Sequence, residues 1–303
     1  MFSLSDRNKQ WIKGLGFLLS LVAVGFVATR FVQYWEELEL SGLGAIDWIA
    51  LAGLGLVYAL ISVFLGLAWW KMLLHLKPES EVEDDAVISP FWAVYAYGYS
   101  QIGKYLPGNV LHFAGRHVLG MAAGYRHARL IYSTILELAL LLVSGLLLTL
   151  LLLPVLGLHH GLAALAYALV FVLVYVGLKL RSSIHLSHAL ALHSLFLLLT
   201  GILFVLVLAL IDPAFDWSLR SAMLILAAYV LAWLIGMLTP GAPAGLGIRE
   251  VVLLFLLGPI VNQSELLLAI LLSRVVSLTG DLLFFAAAVI VKPKLLAGRW
   301  VHD

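Results

Sequence analysis

Residues 102–118 read IGKYLPGNVLHFAGRHV, and residues 235–251 read IGMLTPGAPAGLGIREV. Laid side by side without a gap, they share Ile102/Ile235, Gly103/Gly236, Pro107/Pro240, Gly108/Gly241, Arg116/Arg249 and Val118/Val251. That is six identities in 17 positions, every pair 133 residues apart. Proline removes a backbone donor and breaks a helix. Glycine supplies the turn and lets another backbone come close. A helix-breaking, cationic segment is therefore written twice, and the fold follows from what surrounds it.

What surrounds it is apolar. The chain has 303 residues, of which 63% are hydrophobic and 12% charged, and its mean hydropathy is +1.06. Soluble domains have about 45–50% apolar and about 25% charged residues, so this is an integral membrane protein built on long apolar runs. The net charge of +1, with no basic tail or basic–aromatic stripe, gives no nucleic-acid partner. The absence of cysteine removes disulfides, thiol catalysis and cysteine-ligated metals. His185 and His188 are spaced i,i+3 but no carboxylate accompanies them, and there is no H-E-x-x-H, G-x-S-x-G, Walker or dinucleotide motif. No metal, cofactor or catalytic residue is assigned.

Hydropathy predicts six full spans, near 12–32, 47–74, 129–154, 161–180, 188–211 and 264–291. The first is read as a retained span, since no small-residue cleavage site follows it. The stretches 88–124 and 220–259 each join apolar helical sequence to a Pro-Gly break and a second short helix. They are expected to be re-entrant hairpins, because broken backbone at membrane depth is tolerated only where protein or a wet cavity surrounds it. Three spans separate them, so the second hairpin enters from the opposite face, the pattern of an inverted-topology repeat. The expected fold is an all-α polytopic membrane protein, one integral membrane domain over 1–303, with about six transmembrane helices and two re-entrant helical hairpins in an inverted repeat. Segment 77–90 reads as a solvated linker.

Charge sets the orientation. With the N-terminus in the cytoplasm, inside segments carry 14 of the 18 basic residues, from Arg7 to Arg299, including Lys104, Arg116, Arg126 and Arg129. Arg30, Arg220 and Arg249 fall outside, and Arg274 falls within the last span. By the positive-inside rule both termini are cytoplasmic, in a multi-pass protein of the cytoplasmic (inner) membrane.

A half-helix that starts at membrane depth presents unpaired N–H groups and a positive dipole end, which attract anions. An Arg adds a permanent charge with a fork suited to phosphate. Lys104, Asn109, Arg116 and Arg249 are thus candidates to meet an anionic head group, on a backbone shaped by Gly103, Pro107, Gly108, Pro240, Gly241, Gly245 and Gly247. Glu137, Arg274 and Asp281 fall inside predicted spans, where an ionisable group costs roughly 2.5–3.5 kcal/mol on insertion scales and needs a partner or a cavity. Arg274 and Asp281 are two turns apart on one helix face. They either form a structural network, Arg274 with Asp281 or Glu137, or line the cargo cavity. Glu250 either orients Arg249 or competes with the cargo for it.

GKYLPGNVLHFAGRHVLG, TPGAPAGLGIREVVLLFLL and LLLAILLSRVVSLTGDLLFF together resemble the lysylphosphatidylglycerol synthase transmembrane-region family, flippase-like membrane proteins, over nearly the whole chain. One departure is PGAPAGLG, where the family pattern has a Gly-Gly pair and Ala244 stands here. In the multiple peptide resistance factor, the region it resembles is the lipid-flipping module, followed by a soluble aminoacyl-transfer domain. The chain given stops at Asp303, just past its last span, so that domain is expected to be absent. The resemblance implies translocation of an anionic amphiphile, a membrane phospholipid or a polyprenyl-phosphate-linked sugar lipid. The alternative is a membrane partner that presents such a lipid to a separate glycosyl- or aminoacyl-transferase. An intramembrane transferase would have only Glu137, Glu250 and Asp281 to work with.

Overall fold

The computed structural model describes residues 44–76, 89–105, 110–239 and 245–297, with side chains described to residue 290. The expected first span, the linker 77–90 except its last two residues, and the motif residues Pro107, Gly108, Asn109, Pro240, Gly241 and Ala244 lie outside them. Among the described residues the chain is helical and contains no strand. In order come α1 (Ala45–His75), α2 (Pro90–Gln101) with a 3-10 turn (Ile102–Tyr105), α3 (Leu111–Ala122) and α4 (His127–Leu148) continued by a 3-10 segment (Thr149–Leu156). Then follow α5 (His160–Arg181), α6 (Ile184–Ile211), α7 (Leu219–Leu238), α8 (Ile248–Leu257) and α9 (Gln263–Ala297).

Local sequence sets these ends. Ser89 accepts from Trp92 N at 3.1 Å with Pro90 in the first helical position, where the missing N–H is harmless. Ser183 accepts from His185 N and Ser218 from Ser221 N, opening α6 and α7. Asn262 accepts from Ser264 N at 2.9 Å ahead of α9. The 3-10 segment after α4 ends beyond Pro154 at Gly157, whose φ of 87° is the left-handed conformation that closes helices.

Six of these units are long and apolar enough to cross a membrane: Ala45–His75, His127–Leu156, His160–Arg181, Ile184–Ile211, Leu219–Leu238 and Gln263–Ile290. The protein is therefore a multi-pass membrane protein. Five coincide with predicted spans. The sixth, Leu219–Leu238, was expected as one arm of a hairpin, yet its 20 residues suffice to cross by themselves. The predicted span 12–32 lies outside the described residues. By contrast α3 and α8, with 12 and 10 residues, reach only about 18 and 15 Å at 1.5 Å per residue. Both of these short helices follow the Pro-Gly breaks.

The core is formed by α1, α6 and α9, with α2 and α7 packed against them. Small residues set the close crossings. A Cβ on Gly280 of α9 would lie 2.8 Å from the Gly55 carbonyl of α1, and one on Gly66 of α1 would lie 2.8 Å from the Val94 Cα of α2. Without a hydrophobic drive between helices in lipid, such backbone approach carries much of the packing. Helix α5 buries only Ala163 and shows an apolar outer surface, including Leu173 and Leu180.

Candidate functional site

The two broken helices face one cavity. Lys104, in the 3-10 turn after α2, and His112 and Phe113, in the first turn of α3, line it from the first motif. Met237, at the end of α7, and Arg249, in the first turn of α8, line it from the second. Glu137 of α4 completes the polar wall, and the cavity volume is about 100 Å³. A water needs roughly 10–15 Å³ of such space, so a hydrated polar group fits.

Glycines let the breaks close. A Cβ on Gly103 would stand 2.8 Å from the His112 amide nitrogen, where the 3-10 turn meets the start of α3. A Cβ on its counterpart Gly236 would stand 2.6 Å from Arg249 Cγ. Gly245 and Gly247 have φ of 69° and 81°, a region where a side chain costs about 1–2 kcal/mol. A Cβ on Gly245 would also lie 2.9 Å from Gly236 Cα. Gly245→Ala should therefore lower the unfolding free energy by about 2 kcal/mol or more. Thermal unfolding in detergent measures this, and an unchanged midpoint would refute the geometry at this turn.

The charges form three pairs. Arg116 Nη1 of α3 lies 2.8 Å from Glu137 Oε2 of α4, both nearly inaccessible. Tyr97 of α2 donates its hydroxyl to Glu137 Oε1 at 2.8 Å. The Arg116 guanidinium rests on the Tyr97 ring at 4.2 Å, with Phe113 and Trp69 at 5.2 and 5.5 Å. These aromatic faces replace water around the cation. Lys104 Nζ lies 2.6 Å from Asp281 Oδ2. Asp281, fully buried, also accepts from the Tyr105 hydroxyl and, at 3.4 Å, from Gln101 Nε2. Arg274 donates from Nε to Glu250 Oε1 at 2.6 Å, and from Nη2 to the Gly245 carbonyl at 3.2 Å.

Arg274 and Asp281 thus sit two turns apart on α9 and tie down different motifs. Arg274 holds the turn before α8, and Asp281 holds the end of the 3-10 turn after α2. Neither pairing expected for Arg274 occurs: its carboxylate is Glu250, while Asp281 belongs to Lys104 and Glu137 to Arg116. Glu250 is correspondingly turned to Arg274 and does not form an ion pair with its neighbour Arg249.

Arg249 is the exception among the four cations. No carboxylate among the described residues pairs with it. Its Nε is buried without an acceptor, and its guanidinium lies 5.2 Å from the Trp233 ring centre. It also borders a second, smaller cavity beside Glu250 and Arg274.

Sequence reasoning missed the neutral partners Tyr97, Gln101, Tyr105 and Trp233. Tyr97 and Gln101 lie four apart on α2, which gave a signal of polar tips on one face. It also placed Arg129 among the inner loop charges, although Arg129 is buried and donates to the Leu73 carbonyl at 2.6 and 3.2 Å, near the C-terminal end of α1. With Arg116 buried and Lys104 paired to Asp281, three of the 14 inner cations carry little weight for orientation. No family model matches the chain, and no curated protein matches it.

Proposed function

We propose that the protein translocates an anionic amphiphile, a phospholipid or a lipid-linked sugar phosphate, across the cytoplasmic membrane. The head group occupies the cavity between the two broken helices while the acyl or prenyl chains stay in the bilayer. One observation carries the reading: two sequence-related motifs, far apart in the chain, line the same cavity, and one of the cations there, Arg249, has no carboxylate partner among the described residues. The first turns of α3 and α8 both border this cavity, and helix starts favour anions. The motif resemblance to flippase-like proteins points the same way.

The inverted repeat is part of this proposal. A long helix, a broken helix and another long helix recur as α1, α2–α3, α4 and as α6, α7–α8, α9. With α7 taken as one arm of its hairpin, although it is long enough to cross by itself, three crossing units, α4, α5 and α6, separate the hairpins α2–α3 and α7–α8, an odd number, so the two hairpins open to opposite faces. Both termini are cytoplasmic in this arrangement. The native chain contains no cysteine, so single introduced thiols report topology without background. Ile260→Cys should react with an impermeant maleimide from outside the cell, and Ala122→Cys only after permeabilisation. Labelling of both from the same side would rule out the inverted arrangement.

Transport itself is tested in proteoliposomes carrying a fluorescent phosphatidylglycerol. Protein should bring the inner-leaflet probe within reach of an external quencher. Quenching that stops at the outer-leaflet fraction, for this lipid and for a polyprenyl phosphate alike, would refute translocation.

A further inference from the structure

We propose that the cavity selects a head group with a single negative charge, a phosphodiester, over phosphomonoesters and diphosphates, and that Arg249 sets this preference. The inference rests on the translocation reading and narrows its cargo. The argument is charge balance. Among the described residues, Lys104, Arg116, Arg249 and Arg274 meet three carboxylates, Asp281, Glu137 and Glu250, and the three pairs close at 2.6, 2.8 and 2.6 Å. With histidine neutral, one positive charge is left, and it sits on Arg249.

Residues 106–109 read LPGN and residues 240–244 read PGAPA, with no ionisable side chain in either. The central part of the predicted first span, residues 14–29, has none as well.

An uncompensated charge out of water is costly even after relaxation. A monoanion in the cavity neutralises Arg249 and gives its orphan Nε an acceptor, so binding removes a penalty that the empty site carries. A dianion overshoots: after Arg249 is satisfied, a second negative charge remains. The other three cations can meet it only by releasing Glu137, Glu250 or Asp281, each of which is buried. The aromatic wall gives no help to the surplus charge, because ring faces attract cations and not anions.

The test uses the purified full chain in mild non-ionic detergent. It is offered equal amounts of phosphatidylglycerol, phosphatidic acid at pH 8.5, a polyprenyl diphosphate and zwitterionic phosphatidylcholine, and retained lipid is counted by native mass spectrometry. Phosphatidylglycerol should be retained at least about tenfold over the other three, a difference of about 1.4 kcal/mol. Arg249→Gln, which leaves no carboxylate stranded, should bring phosphatidylglycerol down to the phosphatidylcholine level. Glu137→Gln keeps an acceptor for Tyr97 and removes a negative charge from the cavity wall; in variant protein first shown to be folded, it should move the preference toward the dianionic lipids. Equal retention of mono- and dianionic lipids by the native protein would overturn charge selection while leaving translocation standing. Retention of no anionic lipid above phosphatidylcholine by folded native protein would overturn the translocation reading as well. An Arg249→Gln protein that still prefers phosphatidylglycerol would remove Arg249 from the role.

Discussion

Arg249→Ala should abolish lipid translocation, by at least about 100-fold in initial rate, while the folded yield and thermal midpoint of the protein stay near those of the native chain. The asymmetry comes from its pairing. Removing a cation is costly to the fold when it strands a buried carboxylate, and no described carboxylate pairs with Arg249. Its Nε already lacks an acceptor, so truncation removes an unsatisfied donor along with the Trp233 contact. The cargo phosphate, by contrast, loses its one unmatched cation, and a charge-assisted bond in a low-dielectric site is worth far more than in water. Rate and yield, measured on the same preparation, decide the matter. If both fall together, Arg249 is a structural residue and the cavity has lost its strongest claim to be a transport site.

Arg116→Ala should behave in the opposite way, although the sequence presents Arg116 and Arg249 as counterparts. Arg116 and Glu137 are both almost fully buried. Truncating Arg116 leaves Glu137 buried without its cation, and breaking such a pair from one side costs about 3–5 kcal/mol. The expected result is a large drop in thermal midpoint and yield, with loss of transport following from loss of folded protein. The double variant Arg116→Met/Glu137→Leu should recover most of the stability, because an apolar pair of similar volume replaces a buried ion pair at little cost. Tyr97 would then lack its acceptor, which keeps the recovery short of complete. A double variant no more stable than the single one would show that the pair does not account for the loss.

The three ion pairs have a further consequence for chemistry. Glu137, Glu250 and Asp281 are the carboxylates an intramembrane transferase would need, and each is engaged by a cation. Glu137 also accepts from Tyr97, and Asp281 from Tyr105 and Gln101. Each carboxylate is thus held in place by its partners. They fit the role of fastening the two motifs to α4 and α9 better than that of proton transfer.

Much of this protein was legible in its sequence because the bilayer imposes few solutions. In lipid only helices and closed barrels satisfy every backbone group, and apolar runs of about 20 residues fit helices and not strands, so composition and run length were enough for the all-helical, multi-pass class and for five of the six long apolar units. The Pro-Gly breaks were legible for the same reason: proline cannot continue a helix, and each break is followed by a helix of 12 or 10 residues. The sequence also marked Lys104, Glu137, Arg274 and Asp281 as residues in need of partners, since charge within apolar spans is costly. Who those partners are was not legible. Pairing depends on how helices cross, and crossings depend on small residues such as Gly55, Gly66 and Gly280 that read the same from one context to another. Tertiary structure alone decided that Glu250 turns from its neighbour Arg249 to Arg274, that Asp281 reaches Lys104 across more than half of the chain, and that Arg129 is buried against the Leu73 carbonyl. It also separated two arginines at matching positions of a repeated motif. Arg116 is locked to Glu137, whereas Arg249 has no carboxylate partner among the described residues.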